Sequence, residues 1–264
     1  MSDDVSRETP STPPGARGVF ASDRLPLAER FTDLLATEGV LRGLIGPREA
    51  PRLWDRHVLN SAVLGEVIPQ GAAVCDIGTG AGLPGLVVAI ARPDLTVTLV
   101  EPLLRRTTFL DEVVDELGLD HVTVVRGRAE DLHGSASFDV VTSRAVAPLD
   151  RLLTWSMPLV SAPGALVAMK GQKIHDEIAA ARKDLVRWRC APPEVVELGA
   201  EVVDPPTTVV RVRWADPSRL GWPLRPAAAA GSAGGDSARA AKRGARRGRQ
   251  RHDRRPTQPR GEPK

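Results

Sequence analysis

Hydrophobic positions along this chain fall into two regimes. Before about residue 68 they recur at helical intervals, and from Val74 onward short β-branched runs alternate with amphipathic stretches. Leu27, Phe31, Leu34, Leu35, Val40, Leu41 and Leu44 keep a broadly helical spacing with a break around Gly39. Pro47 to Pro51 punctuates the pattern, which resumes at Leu53, Trp54, His57, Val58 and Ser61 as far as about Leu64. One or two capping helices are predicted over residues 24–68.

The second regime opens with Val74-Cys75-Asp76-Ile77, a short apolar run interrupted by one acid, followed by Gly78, Gly80, Gly82 and the pair Pro84-Gly85. That order predicts a strand, a tight loop and a helix start, with Pro84 suited to a first helical position. The helix continues through Leu86–Ala91. Leu95–Val100 predicts a second strand ending at Glu101, and an amphipathic helix over about Leu103–Leu117 stops at Gly118. Val122–Val125 and Phe138–Thr142 predict the third and fourth strands. A helix over Leu149–Val160, a strand over Ala165–Met169 and one helix over Asp176–Trp188 follow. Strand and helix in alternation imply a parallel sheet covered on both faces. The last two strands, Glu194–Leu198 and Thr207–Trp214, are joined by a segment with no room for a crossover helix, so they are predicted to be antiparallel neighbours.

Residues 1–23 mix acids, Ser, Thr and Pro, lack the apolar centre of a secretory signal, and are predicted to be a disordered leader. Residues 69–216 form the predicted main domain. Beyond Trp222 the chain is Ala, Gly, Ser and Arg with almost no large apolar side chain, and residues 217–264 are predicted to be a disordered basic tail.

Charge sharpens that division. The net charge of the 264-residue chain is +3, yet from Ala227 to Lys264 eleven Lys or Arg stand against three acids, a local +8 that leaves −5 for the remainder. The folded part is therefore mildly acidic. Two cysteines, Cys75 and Cys190, are too few and too far apart to suggest a disulfide framework or a zinc site, and no metal is expected. No apolar run approaches bilayer length, so a cytoplasmic, reducing location and a monomeric state are the default expectations.

Ligands of open parallel sheets bind at the carboxyl ends of the strands. The candidates there are Asp76, Gly78 and Gly80 after the first strand, Glu101 after the second, Ala129 and Glu130 after the third, Ser143 and Arg144 after the fourth, and Lys170 and Gln172 after the fifth. The glycines admit two registers. Gly80-x-Gly82-x-x-Gly85, with Glu101 lying 21 positions after Gly80, fits a dinucleotide fingerprint. Asp76-x-Gly78-x-Gly80-x-Gly82 resembles the first motif of S-adenosylmethionine-dependent methyltransferases. The acid at the strand end favours the second register, because a carboxylate suits the ammonium or sulfonium of adenosylmethionine and repels a pyrophosphate. A glycine-rich turn that binds nothing is the third reading.

In the favoured register Glu101 is a bidentate acceptor for two ribose hydroxyls, Ala129-Glu130 lies beside the adenine, and Arg144 offers a forked cation to a carboxylate or phosphate. His57 is read as a packed histidine with no role. No Asn-Pro-Pro-aromatic sequence follows the fourth strand, as exocyclic-amine transfer would need, and no cysteine stands there for attack on a pyrimidine. Lys170 alone is thin support for a base acting on a sugar hydroxyl. An endocyclic purine nitrogen such as guanine N7 needs neither base nor nucleophile, so no catalytic acid–base residue is expected, only alignment.

With these residues together, the chain resembles the family of 16S ribosomal RNA guanine-N7 methyltransferases, also called glucose-inhibited division protein B. The resemblance covers about Pro47 to Trp214. It rests on Arg56-His57-Val58-Leu59-Asn60-Ser61, on Asp76 through Gly85 with its Gly-Leu-Pro-Gly ending, on Arg105 through Leu110, on Ser143-Arg144-Ala145 and on Leu166 through Gln172. Asn60 stands where the family commonly has Asp, and a Tyr-Asn-Leu-Thr segment is missing near Leu44. The resemblance implies a Rossmann-like class I methyltransferase fold, with a mostly parallel seven-stranded sheet and an antiparallel last strand. It also implies S-adenosyl-L-methionine as cofactor, with contacts at Gly78, Leu83, Ala129, Glu130 and Arg144, and as substrate a guanine in the decoding-region loop of 16S ribosomal RNA or the small subunit. A nicotinamide-dependent oxidoreductase and a non-catalytic RNA-binding protein on the same scaffold are the alternatives.

Overall fold

The computed structural model describes residues 11–221; the first ten residues and residues 222–264 of the expected tail lie outside it, while Pro217–Arg219, the described start of that tail, form a 3₁₀ turn. The first strand, β1 (Ala73–Ile77), is buried along almost its whole length because helices cover both sides of the sheet. Val74 points into one hydrophobic cluster, Cys75 and Ile77 into the other, as the two-residue period of a strand requires. Burial pushes the Cys75 thiol upward, so it behaves as a small apolar residue.

The remaining strands are β2 (Thr96–Glu101), β3 (Val122–Arg126), β4 (Phe138–Arg144), β5 (Val160–Met169), β6 (Glu194–Leu198) and β7 (Thr207–Arg213). They form one sheet in the order β3-β2-β1-β4-β5-β7-β6. β1 to β5 run parallel, and β7 is antiparallel to both of its neighbours. This is the α/β class I methyltransferase plan expected from the alternation of elements and the crossover-free end. The chain builds outward from β1 to β3, then returns to β4 beside β1, so the switch point lies between β1 and β4.

On one face pack α2 (Leu25–Leu34), α4 (Gly85–Ala91) and α5 (Leu104–Leu117), with Phe31, Leu86, Ile90, Phe109 and Leu110 fully buried. Gly118 ends α5 in the left-handed conformation at φ 60°. The opposite face carries α6 (Leu149–Ser156), α7 (Ile174–Ala180) and α8 (Arg182–Arg187), contributing Leu149, Leu153, Ile174 and Leu185. The last two were expected as one helix, which is interrupted at the buried Ala181.

Two features differ from the sequence expectations. The described part of the expected leader is packed. A single turn, α1 (Ala16–Val19), buries Ala16, and Phe20 meets Trp54 edge to face at 6.4 Å, while the Thr12 hydroxyl donates to Glu29 at 2.7 Å. One aromatic and one alanine, four positions apart, seat that turn, too few apolar residues to register in composition. The second difference is in the cap. Leu53–Leu59 is a π-helical turn, followed by the short α3 (Asn60–Ala62) and a 3₁₀ stretch over Val63–Val67. The carbonyls of this widened turn take side-chain donors: Asp55 from Asn60 at 2.5 Å, Arg56 from Arg144 at 3.3 Å and His57 from Ser61 at 2.6 Å. Among the described residues no helix is long and apolar enough to cross a membrane.

Candidate functional site

The loop from Gly78 to Pro84 leaves β1 at the switch point and lies over the end of β2, where the Gly78 and Thr79 amides donate to the Val100 carbonyl at 2.8 and 3.2 Å. Gly78, Gly80 and Gly82 all have positive φ (67°, 63° and 94°), whereas Gly85 opens α4 and has none. The glycines whose conformation requires glycine are thus those of the register beginning at Asp76. Gly85 is needed for closeness instead, since a Cβ there would lie 2.6 Å from that of Asp76. Pro84, expected at a first helical position, stands one residue earlier, as the N-cap of α4.

Asp76 lies beneath this loop with no exposed surface. Its Oδ2 accepts the Gly85 amide at 2.8 Å, while Oδ1 is buried without a partner. The Thr79 hydroxyl is close enough to favour the charged form but completes no well-aligned bond of its own. Burial raises the Asp76 carboxyl to about 7, against the pull of Thr79, Gly85 and Arg144. The acid expected to face a cationic ligand is therefore an unfinished buried acceptor at the root of the loop, a feature that suits a positive group arriving above it.

Glu101 ends β2, also buried. It accepts from the Gly80 and Leu103 amides, each at 3.1 Å, and from Arg106 Nη1 at 3.2 Å. The acid ties the glycine loop to the start of α5. The third strand end is held likewise: Gly127 donates to the Glu101 carbonyl at 3.2 Å, and Asp131 accepts the Arg128 amide at 2.8 Å, fixing the 3₁₀ turn Ala129–Leu132.

Two clefts open along this edge. The smaller, about 250 Å³, is lined by Gly78, Ala129 and Glu130, with Val100, Pro102 and Trp155 among its apolar walls. Its largely apolar walls, with Glu130 and Arg128 among the lining, suit an aromatic base. The larger, about 1050 Å³, is lined by Arg56, Arg144, Lys170 and Gln172 among others. Val146 belongs to both, and its Cγ2 would lie only 2.9 Å from a Cβ at Gly78. The two clefts therefore meet over the glycine loop, at the segment following β4.

That segment is held from two sides. Ala145 takes a positive φ of 56°, unusual for a residue with a side chain. The Lys170 ammonium, nearly buried, donates to the Ala147 carbonyl at 2.8 Å and to Glu177 at 2.7 Å, and the same Glu177 oxygen accepts the first amide of α6, at Leu149, at 2.9 Å. Arg144, at the end of β4, reaches the cap: Nη2 is 2.8 Å from His57 Nδ1 and Nη1 donates to the Arg56 carbonyl at 3.3 Å.

Of the eight sequence-predicted site residues, Gly78, Ala129 and Glu130 line the smaller cleft and Arg144 the larger. Asp76, Gly80, Leu83 and Glu101 build the loop and its foundation; Leu83 is buried and lines neither cleft. Missed by sequence reasoning were Trp155 and Val146, which carry no polar signal, and His57, dismissed as a packed histidine. Arg56-His57 adjacent to a proline break was the available signal for the last.

The profile of the family described as rRNA small subunit methyltransferase G matches residues 24–202. A ribosomal RNA small subunit methyltransferase G of Nocardioides sp. (strain ATCC BAA-499 / JS614) is 66% identical over 239 residues, 90% of this chain and 94% of its own. That of Thermobifida fusca (strain YX) is 51% identical over 85% of this chain and 94% of its own, and that of Streptomyces avermitilis 56% identical over 78% and 86%.

Proposed function

Because the chain belongs to the rRNA small subunit methyltransferase G family, we propose that it transfers a methyl group from S-adenosylmethionine to N7 of a guanine in the decoding-region loop of 16S ribosomal RNA. The observation that carries the reading is the meeting of a small, mostly apolar cleft with a larger one above a glycine loop rooted on a buried carboxylate that keeps one oxygen unpartnered. S-Adenosylmethionine supplies an electrophilic methyl group on a sulfonium centre.

The chain's residues bind and align. The Ala129-Glu130 turn and the Gly78 backbone border the adenine, with Val100, Pro102 and Trp155 as its apolar walls. Glu101 serves the ribose edge through the one lone pair left on Oε1 once its two backbone donors and Arg106 are satisfied, not as the bidentate acceptor expected. Gly80 and Leu83 shape the loop, Asp76 supplies negative potential beneath the sulfonium end, and Arg144 faces the carboxylate end from the cleft above. The target guanine enters the larger cleft, past Val146. Its N7 lone pair is free at neutral pH, so alignment and exclusion of water are the whole task, and orientation alone is worth about 7–11 kcal/mol of barrier.

Transfer to a ribose hydroxyl is disfavoured by a specific contact. Lys170, the candidate base named after β5, is engaged by Glu177 and the Ala147 carbonyl, so its ammonium holds the loop. The enzyme acts as a monomer in the cytoplasm in this reading.

The test is to incubate the full chain with labelled S-adenosylmethionine and, separately, 16S ribosomal RNA and small subunits, then map the product. Label on a single guanine N7 is the expected result. Label on ribose, on an exocyclic amine or on no nucleotide overturns the proposal.

A further inference from the structure

The guanidinium of Arg144 carries five N–H donors and no acceptor. Its 2.8 Å contact with His57 Nδ1 can therefore form in one way only, with the histidine nitrogen accepting. A neutral ring must then carry its proton on Nε2, which lies 2.9 Å from Glu49 Oε2, an acceptor. Proton positions that coordinates alone leave open are set here by the chemistry of the two partners. The result is a directed chain, Arg144 to His57 to Glu49, running from the end of β4 into the cap. The Arg56 carbonyl accepts a second guanidinium proton, so two bonds from the π-helical turn fix the plane of the Arg144 side chain.

Protonated His57 cannot take part. It would turn an N–H toward an N–H and set a cation against Arg144. The charged groups around the ring are Arg144 at Nδ1 and Glu49 at Nε2; Arg56 pairs with that Glu49 at 3.3 Å, Asp76 acts on Arg144 from β1, and Arg52 acts on Glu49. Burial and Arg144 hold the His57 pKa below its ordinary value, outweighing the opposing pull of Glu49.

We propose that His57 is a positioning residue for methyl transfer: as the neutral Nε2–H tautomer, anchored by Glu49, it orients the Arg144 guanidinium toward the bound cofactor. The proposal rests on the reading of Arg144 as a cofactor contact. It assigns the cap a part in cofactor binding besides any contact it makes with RNA.

Four variants of the full chain and two measurements test it. Nitrogen-15 histidine spectra of the wild-type protein at pH 7.5 are expected to give the neutral Nε2–H form for His57. A charged ring or the Nδ1–H tautomer overturns the proposal. Calorimetry with S-adenosylhomocysteine is expected to find Arg144→Ala and His57→Ala each weakened about tenfold, the size of one hydrogen bond to a charged group. His57→Asn, whose carbonyl can take the place of Nδ1, is expected within about threefold of wild type, and His57→Gln, whose amide reaches toward Glu49 instead, to stay weak. Equal affinities of the Asn and Gln variants overturn the proposal even if His57→Ala fails to fold. Wild-type affinity in His57→Ala with loss in Arg144→Ala removes the positioning role alone. Wild-type affinity in Arg144→Ala removes the cofactor reading beneath it, and the proposal with it.

Discussion

Asp76 offers the sharpest quantitative test, because its burial makes two opposite demands. In the ligand-free protein its carboxyl stands near pH 7 against an ordinary 3.8. Below 3.8 the residue is neutral in both the folded and the unfolded chain. Between 3.8 and about 7 the unfolded chain releases the proton while the folded chain keeps it, so stability falls as pH rises, and above 7 the full cost is in place. The interval corresponds to about 4 kcal/mol, an upper figure for a site that can relax. Asp76→Asn removes the titration while keeping an acceptor for the Gly85 amide, and the new amide group can donate to the buried Thr79 hydroxyl. Urea unfolding of both proteins from pH 5 to 8.5 is expected to find the variant the more stable at pH 8, by about 2–4 kcal/mol, with the gap closing toward pH 4. Affinity is expected to move the other way. The variant should lose more affinity for S-adenosylmethionine, which carries a charge on sulfur, than for S-adenosylhomocysteine, which does not. Parallel stability curves, or a variant less stable than wild type at pH 8, would refute the assignment of Asp76 as a strained buried charge.

Other positions give simpler outcomes. Gly82→Ala forces a side chain onto φ 94° and sets its Cβ 2.9 Å from Leu86 Cβ, so a loss of about 2 kcal/mol or more in denaturant unfolding is expected, together with weaker cofactor binding. Lys170→Met leaves Glu177 and the Ala147 carbonyl without their shared donor; about 1–3 kcal/mol of stability should go, and the RNA KM should rise more than that for the cofactor. Deleting the residues after Trp222 removes Arg225 together with the local +8, and a shallower salt dependence of RNA binding is expected; an unchanged slope excludes the tail from substrate binding.

Much of this fold was legible because its signals are local. Most strands announce themselves as short apolar, often β-branched runs, β1, β2 and β6 closing at Gly78, Glu101 and Gly199, and the interval from Leu198 to Thr207 is too short for a crossover helix, which makes the last pair antiparallel. Asp76, Glu101, Ala129-Glu130 and Arg144 were legible for a topological reason: in a doubly covered parallel sheet, the carboxyl ends of successive strands meet at one edge. What was hidden depends on contacts distant in sequence. His57 meets Arg144 across 87 positions, and the π-helical turn that carries it departs from the 3.6-residue period by which its face would be inferred. Trp155 reads as one more apolar residue of α6, and only the fold turns it toward the smaller cleft. Glu101 was legible as an acid at the right place, yet its grip on the Gly80 amide was not.

The cap and the sheet look separable in sequence, divided near residue 68 by a change of period. Physically they share one interior. Phe31, Leu53, Trp54 and Leu64 belong to the same buried cluster as Leu86, Val97 and Phe109, so the cap has no core of its own to keep it folded. The Glu49–His57–Arg144 chain adds a polar connection at the edge where the clefts meet, and Arg144 lies within the electrostatic reach of Asp76. A change in the cap that moves the π-helical turn therefore acts on Arg144, and through its charge on the carboxylate beneath the glycine loop. Substitutions at Leu53, Trp54, His57, Val58 or Leu59 that leave the protein folded should accordingly alter cofactor affinity, although none of these residues lines either cleft.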